Sequence, residues 1–232
     1  MIVRGVLLDL DGTLVDHKTA AAAGLRAWLP TLGRVPTEAE IARWGVVQEP
    51  HLEAWRNGRI SFAEQRRRRV RDFLDARGTD AELDELFAGY LTHYEDAWRA
   101  FDDVAGALTA LAAAGLATAV LTNGARGQQL RKLSRTGLAD RVGPVFTVDD
   151  LGVAKPHAEA FLRSCARWGY TPGQVLSVGD DHALDVLGAR AAGLSAVHLD
   201  RHGRGPADEA HRLTSLRELV PFIDRHSTVP GR

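Results

Sequence analysis

Two different spacings of apolar residues divide this chain of 232 residues. Residues 3–8 are nearly continuously apolar, as in a strand buried on both faces of a sheet. Residues 16–98 instead repeat apolar positions at helical spacing, which predicts helices over 20–29, 38–47, 61–76 and 80–98. We expect prolines and glycines, Pro50 among them, to separate these helices. No strand pattern interrupts this stretch, so it is predicted to form an all-helical insert.

From residue 101 onward, helix and strand patterns alternate. Strands are predicted over 117–121, 142–148, 174–178 and 195–199. Helices are predicted over 103–114, 128–136, 158–168 and 183–192, each closed by a glycine, and a polar loop at 201–208 precedes a last helix at 216–223. This alternation predicts an α/β fold with a doubly wound, Rossmann-like parallel sheet. The predicted domains are a core of residues 1–15 and 99–232 and a helical insert of residues 16–98.

Polar residues follow the predicted strands at the edge where a doubly wound sheet binds ligands. They are Asp9 and Asp11 after the first strand, Thr122 and Asn123 after the second, Lys155 after the third, and Asp180, Asp181 and Asp185 after the fourth. Each group alone is equally explained as a turn or a helix cap. Their joint occurrence at strand ends favours a functional site.

Several carboxylates that converge on one point cannot all be ionised unless a cation lies among them. The set offers oxygen ligands without a cysteine or a histidine pair, so Mg²⁺ is the expected cation. Thr122 and Asn123 supply hydrogen-bond donors for phosphate oxygens, and Lys155 supplies a positive charge. An aspartate in such a site can act as a nucleophile and form an aspartyl-phosphate.

Composition excludes several other classes of protein. A net charge of −1 gives no electrostatic reason to bind nucleic acid or an anionic membrane. The single cysteine excludes an intramolecular disulfide and a cysteine-based zinc site. Without a signal-peptide pattern or an apolar stretch of about 20 residues, we expect a cytoplasmic protein, monomeric or homodimeric. Only three of the 29 basic residues are lysines, Lys18, Lys132 and Lys155, so we expect a lysine here to do more than carry surface charge.

The four groups resemble, in order, the four motifs of the haloacid dehalogenase (HAD) superfamily. The resemblance rests on residues 9–14 (Asp-Leu-Asp-Gly-Thr-Leu), 121–124 (Leu-Thr-Asn-Gly), 155–156 (Lys-Pro) and 179–185, which begin Gly-Asp-Asp and end in aspartate. It covers roughly residues 1–15 and 99–205. The insert directly after the first motif is similar to the C1-type cap of this superfamily, which covers the active site.

The resemblance implies a role for each motif residue. It makes Asp9 the nucleophile and Asp11 the general acid/base, which should carry a proton when substrate enters. Thr122, Asn123 and Lys155 would hold the phosphoryl group. Mg²⁺ would bind the side chains of Asp9 and Asp180 and the backbone carbonyl of Asp11. Asp185 would hold metal-bound waters, and Asp181 is a second candidate for this role.

The function that this implies is Mg²⁺-dependent hydrolysis of a small phosphomonoester, of the nucleotide or sugar phosphate class. A phosphomutase of the β-phosphoglucomutase type shares the motifs and the cap class, whereas 2-haloacid dehalogenases share the cap but lack the aspartate at the position of Asp11. Response-regulator receivers place their acceptor aspartate after the third strand and have no insert. Residues 55–62 resemble caps of nucleotidases and N-acylneuraminate-9-phosphatases, and His17 and Arg69 are the candidate specificity residues.

Overall fold

The computed structural model describes residues 2–226, and the chain divides into two compact units. One unit is formed by the described parts of residues 1–16 and 100–232, and the other by residues 17–99. No helix among the described residues is long and apolar enough to cross a membrane.

The second unit consists of helices only, as the apolar spacing predicts. Its helices are α1 (His17–Trp28), α2 (Glu38–Arg56), α3 (Phe62–Leu74) and α4 (Asp80–Asp96). A short 3₁₀ helix, Leu29–Leu32, follows α1. Large aromatic side chains fill the interior, with Trp44 lying 4.7 Å from Tyr90 and 5.0 Å from Phe73 between ring centroids. Tilted and edge-to-face rings at these separations give favourable contacts in addition to apolar burial.

Pro50 does not end α2, so the predicted end of this helix near residue 47 is wrong. The helix continues to Arg56, with Pro50 in its interior. Proline removes one backbone hydrogen bond, but continuing the helix buries Trp55, which is 8% exposed and packs against Phe62. Burial of this large aromatic side chain offsets the lost bond.

The first unit is built on the predicted parallel sheet. Its strands are β1 (Gly5–Leu8), β2 (Ala117–Thr122), β3 (Val145–Thr147), β4 (Val175–Gly179), β5 (Ser195–Leu199) and β6 (Arg212–Leu213). Their spatial order is β3-β2-β1-β4-β5-β6, and all neighbours are parallel. The connections lead to one side of β1 first and then to the other, which confirms the doubly wound topology.

Helices cover both faces of this sheet. They are α5 (Val104–Ala113), α6 (Arg126–Arg135), α7 (Val148–Leu151), α8 (Ala158–Trp168), α9 (Gly188–Ala191) and α10 (Leu219–His226). Successive side chains of β1 point to opposite faces, so Val6 and Leu8 enter one core and Leu7 the other. All three are at most 1% exposed, which explains the continuous apolar pattern of the strand.

Three details of the first unit differ from the prediction. The strand predicted over 142–148 is shorter because the Thr147 side chain pairs with Asp150 and starts α7. Strand β6 was not predicted, because a strand of two residues is too short to show a periodic pattern. It forms by pairing with β5. The helix predicted over 183–192 begins as a π-helical turn, His182–Leu187, before α9.

Candidate active site

The register of the sheet brings the ends of β1, β2 and β4 to the same edge. Leu8 lies beside Val120 of β2 and Val178 of β4. The Asp9 amide then donates to the Val178 carbonyl at 2.9 Å, which extends the pairing by one residue. The side chains that follow these strands therefore lie close together.

Lys155 links two of the predicted acids. Its Nζ donates to Asp9 Oδ1 at 2.7 Å and to Asp185 Oδ1 at 2.6 Å, and all three side chains are buried or nearly so. Burial alone would lower the pKa of Lys155, but the charges of Asp185 and Asp9 raise it above its ordinary value. Lys155 is therefore a permanent positive charge between the two carboxylates.

The loop after β2 fixes the backbone of Lys155. Asn123 donates through Nδ2 to the Lys155 carbonyl at 2.9 Å, and its Oδ1 accepts from the Lys155 amide at 2.8 Å. The neighbouring Thr122 hydroxyl accepts from the Gly124 amide at 3.2 Å. The side chain of Asn123 is thus occupied with holding the lysine loop, a role that differs from the direct phosphate contact implied by the resemblance.

Asp185 lies in the π-helical turn after β4, a form of helix that is frequent at functional sites. Its Oδ2 accepts from the Asp181 amide at 3.1 Å, and its backbone carbonyl accepts from Ser177 Oγ. A Cβ on Gly179 would overlap the Asp185 side chain, so glycine is required at the end of β4. Burial raises the pKa of Asp185, the charge of Lys155 opposes this rise, and the charge of Asp9 adds to it.

Asp9, Asp180 and Asp185 form a group that fits a divalent cation. One carboxylate oxygen from each lies within 4.8 Å of the others. Asp9 Oδ2 is buried and has no hydrogen-bond partner among the described residues, an orphaned acceptor that a cation would satisfy. The candidate metal ligands are all carboxylate oxygens, which Mg²⁺ prefers. The side chains present therefore fit the expected ion.

Asp11 lies in a separate environment that the sequence analysis does not anticipate. Lys132 Nζ of α6 donates to Asp11 Oδ1 at 2.5 Å, and Gln129 Nε2 donates to Asp11 Oδ2 at 2.9 Å. The Gln129 amide also donates to Thr122 Oγ1 at 2.7 Å. Each oxygen of the Asp11 carboxylate thus accepts from a donor on α6. The scarcity of lysine was the one sequence signal that pointed to Lys132, and none pointed to Gln129.

The haloacid dehalogenase-like hydrolase family profile matches residues 3–193. The chain belongs to this family. The phosphoserine phosphatase of Thermus thermophilus is 30% identical to it, over 94% of this chain and 91% of the relative. (S)-2-haloacid dehalogenase 1 of a Pseudomonas species is 34% identical, over 54% of this chain and 57% of the relative. The chain is accordingly a hydrolase, and the phosphatase relative supports a phosphatase reaction.

Solved structures of HAD-like hydrolases confirm the fold. The crystal structure of the HAD-hydrolase YfnB from Bacillus subtilis bound to magnesium matches this chain with a TM-score of 0.80. The match covers 97% of this chain and all of that structure at 22% identity, a level at which it shows the fold alone.

The remaining candidate residues of this HAD-like chain are Asp181, His17 and Arg69. Asp181 Oδ1 accepts from the Leu184 amide at 2.9 Å and so caps the π-helical turn, outside the three-aspartate cluster. His17 begins α1 of the second unit. Arg69 is 7% exposed there, with its guanidinium 4.6 Å from the Trp44 ring. Burial lowers the pKa of Arg69, and its specificity role stays a prediction.

Proposed function

We propose that the chain is a Mg²⁺-dependent phosphatase that acts on a small phosphomonoester through an aspartyl-phosphate on Asp9. The observation that carries the proposal is the separation of two neighbouring carboxylates into different environments. Asp9 is paired with Lys155 beside Asp180 and Asp185, whereas Asp11 is held by donors from α6. Asp9 thus lies next to Lys155 and the other two aspartates, and Asp11 is oriented independently by Lys132 and Gln129 for proton transfer.

The first step joins Asp9 to phosphorus. A carboxylate oxygen of Asp9 attacks the phosphorus atom, the bond to the leaving oxygen breaks, and Asp11 gives that oxygen a proton. Lys155 is positioned to stabilise negative charge on the phosphoryl oxygens. When bound, Mg²⁺ would be held by Asp9, Asp180 and Asp185 and would neutralise the negative charge of the phosphoryl group.

The second step returns the free enzyme. Asp11, now ionised, takes a proton from water, whose oxygen attacks phosphorus. The bond between phosphorus and Asp9 breaks, and inorganic phosphate leaves.

The presence of Asp11, hydrogen-bonded through both carboxylate oxygens, favours a phosphate ester over a haloacid as the substrate. An alkoxide is a poor leaving group that needs a proton, whereas a halide leaves without one. A dehalogenase would therefore have no use for Asp11, although a dehalogenase is among the relatives. The substrate class is proposed to be nucleotides, sugar phosphates or small phosphate esters such as phosphoserine, the substrate named for the Thermus relative.

A phosphate-release panel tests this proposal. Purified protein with Mg²⁺ is offered p-nitrophenyl phosphate, nucleoside monophosphates, sugar phosphates, phosphoserine and phosphoglycolate, and 2-chloropropionate is assayed in parallel for chloride release. We expect phosphate release that is lost on chelation of Mg²⁺. Chloride release without phosphate release would show a dehalogenase, and conversion of a hexose 1-phosphate into its 6-phosphate would show a mutase.

The nucleophile assignment needs a matched pair of variants. Asp9→Asn removes the attacking oxygen while keeping size, and we expect it to lower kcat by about 10³-fold or more. Asp140→Asn makes the same change at an exposed position in the turn after α6 and should leave kcat unchanged. Full activity in Asp9→Asn would remove Asp9 from the mechanism.

A further inference from the structure

Helix α6 presents two hydrogen-bond donors to Asp11 from one face. Gln129 and Lys132 are three residues apart in sequence, so their side chains lie on the same side of the helix. Lys132 binds one oxygen of the Asp11 carboxylate and Gln129 binds the other. Gln129 also reaches Thr122 Oγ1, which connects Asp11 to the loop after β2.

We propose that Lys132 and Gln129 are positioning residues for the reaction, which hold the Asp11 carboxylate in the orientation needed for proton transfer. The inference rests on the proposed phosphatase function and deepens it. A carboxylate bound through one oxygen can still rotate about its last torsion, whereas donors on both oxygens fix its plane. Proton transfer depends on such alignment, because a displacement of about 1 Å can cost a factor of about 100 in rate.

The Asp11 carboxylate does not need a buried lysine in place of water. The Asp11 side chain is 28% exposed and can be reached by water, yet the Lys132 side chain is 0% exposed. Removing an ammonium group from water is costly, and an apolar residue at this position would pack without that cost. The contact of this buried charge with Asp11 points to positioning as its contribution.

Substrates with different leaving groups separate positioning from a structural role. p-Nitrophenoxide needs little protonation as it leaves, whereas an alkoxide depends on the acid. Lys132→Met keeps the length of the side chain and removes the donor. We expect it to lower kcat/KM, which reports the steps up to the aspartyl-phosphate, by about 100-fold for an alkyl phosphate and by less than about 10-fold for p-nitrophenyl phosphate.

Three further variants complete the experiment. Gln129→Met should show the same preference for the activated substrate, and it keeps the test valid if Lys132→Met does not fold. Lys132→Arg retains a cationic donor and should recover part of the alkyl phosphate activity. Leu130→Ala, on the exposed face of α6, should leave both activities unchanged. Folding of every variant is checked by thermal unfolding.

Two results would overturn the inference. One is a wild-type kcat/KM on both substrates in Lys132→Met and Gln129→Met. The other is an equal loss on both substrates that parallels the fraction of folded protein, as a purely structural role predicts. A wild-type protein that hydrolyses no phosphate ester would instead contradict the proposed function itself, so the two failures are distinguishable.

Discussion

At the scale of single residues, the site depends on how closely the side chain of Asp180 approaches the turn after β1. Gly12 lies in this turn at a φ of 98°, a conformation that side chains rarely adopt, and a Cβ there would overlap the Asp180 carboxylate. Gly12 therefore allows both the backbone conformation of the turn and the close approach of the Asp180 carboxylate.

Gly12→Ala is expected to impair the site more than the fold. Displacement of Asp180 should lower kcat by at least about 10-fold and raise the Mg²⁺ concentration needed for half-maximal rate. Gly33→Ala is the matched control, because Gly33 has a φ of 70° and no neighbouring atom within 4 Å of an added Cβ. Kinetics over a range of Mg²⁺ concentrations compare the two. Equal loss of activity in both variants would attribute the effect to backbone strain alone.

The strand-end residues were predictable from sequence because strand ends in a parallel sheet share one edge. Asp9, Lys155 and Asp185 lie where that rule puts them. The contacts of Lys132 and Gln129 with Asp11 were not predictable, since both residues lie inside a helix and reach Asp11 through the packing of α6. For Lys132, the sequence indicated only a role beyond surface charge. Sequence spacing shows that they share a face, but not which side chain that face meets.

At the scale of elements, a buried ion pair connects the start of α5 to the loop after β5. Asp103 accepts from Arg201 through both oxygens at 2.8 and 2.9 Å, and also from Ser215 Oγ and the Leu216 amide. Arg201 in turn donates to the Thr13 carbonyl, within the first motif. Burial alone would raise the pKa of Asp103, but the hydrogen bonds from Arg201, Ser215 and Leu216 lower it below its ordinary value.

Asp103→Ala should destabilise the fold strongly, because it leaves the Arg201 guanidinium buried without its partner. We expect a loss of about 3 kcal/mol in the free energy of unfolding, measured by urea denaturation. Asp102→Ala, at the exposed neighbouring position, should change it by less than about 0.5 kcal/mol. A double variant, Asp103→Ala with Arg201→Met, should recover part of the loss. A loss in Asp103→Ala no larger than that in Asp102→Ala would contradict this account.

A second ion pair predicts how stability depends on pH. Glu209 accepts from both Nη atoms of Arg190 at 2.8 Å, from His182 Nε2 and from the His211 amide. The Arg190 hydrogen bonds are the main cause that lowers the pKa of Glu209 to about 2, which is below its unfolded value. Its stabilisation is therefore complete above about pH 4.5 and is lost as the pH falls towards 2.

Glu209→Gln measures this contribution. We expect it to cost about 1–2 kcal/mol of unfolding free energy at pH 7, after allowance for solvent screening, and progressively less below pH 4. Glu85→Gln, at an exposed position of α4, should have no effect at either pH. A difference between wild type and Glu209→Gln that is the same at pH 7 and pH 2.5 would show that the effect does not come from the charge.

Elements with strong patterns were predicted well, and those decided by tertiary contacts were not. The apolar runs of β1, β4 and β5 are explained by burial on both faces of the sheet. Strand β6 is two residues long and exists through its pairing with β5. The extension of α2 through Pro50 likewise depends on aromatic burial, which the position of a proline does not reveal.

At the scale of the whole molecule, the chain combines an α/β unit, which carries the candidate active site, with an all-helical unit of residues 17–99. We expect the helical unit to act as the cap and to select the substrate. Arg69 is the candidate in its interior, with a hydrogen bond to Gln48 and the rings of Trp44 and Phe87 beside its guanidinium. The chemistry itself belongs to the α/β unit, which holds every residue of the proposed reaction.

The covalent intermediate on Asp9 is the central claim, and its detection is the most direct test. Protein turning over p-nitrophenyl phosphate with Mg²⁺ is quenched in acid, digested, and analysed by tandem mass spectrometry of the peptide that contains residues 5–18. We predict a phosphoryl group on Asp9 in the wild-type protein and none in Asp9→Asn. Continued turnover with an unmodified peptide, or a phosphoryl group on Asp11 instead, would contradict the account.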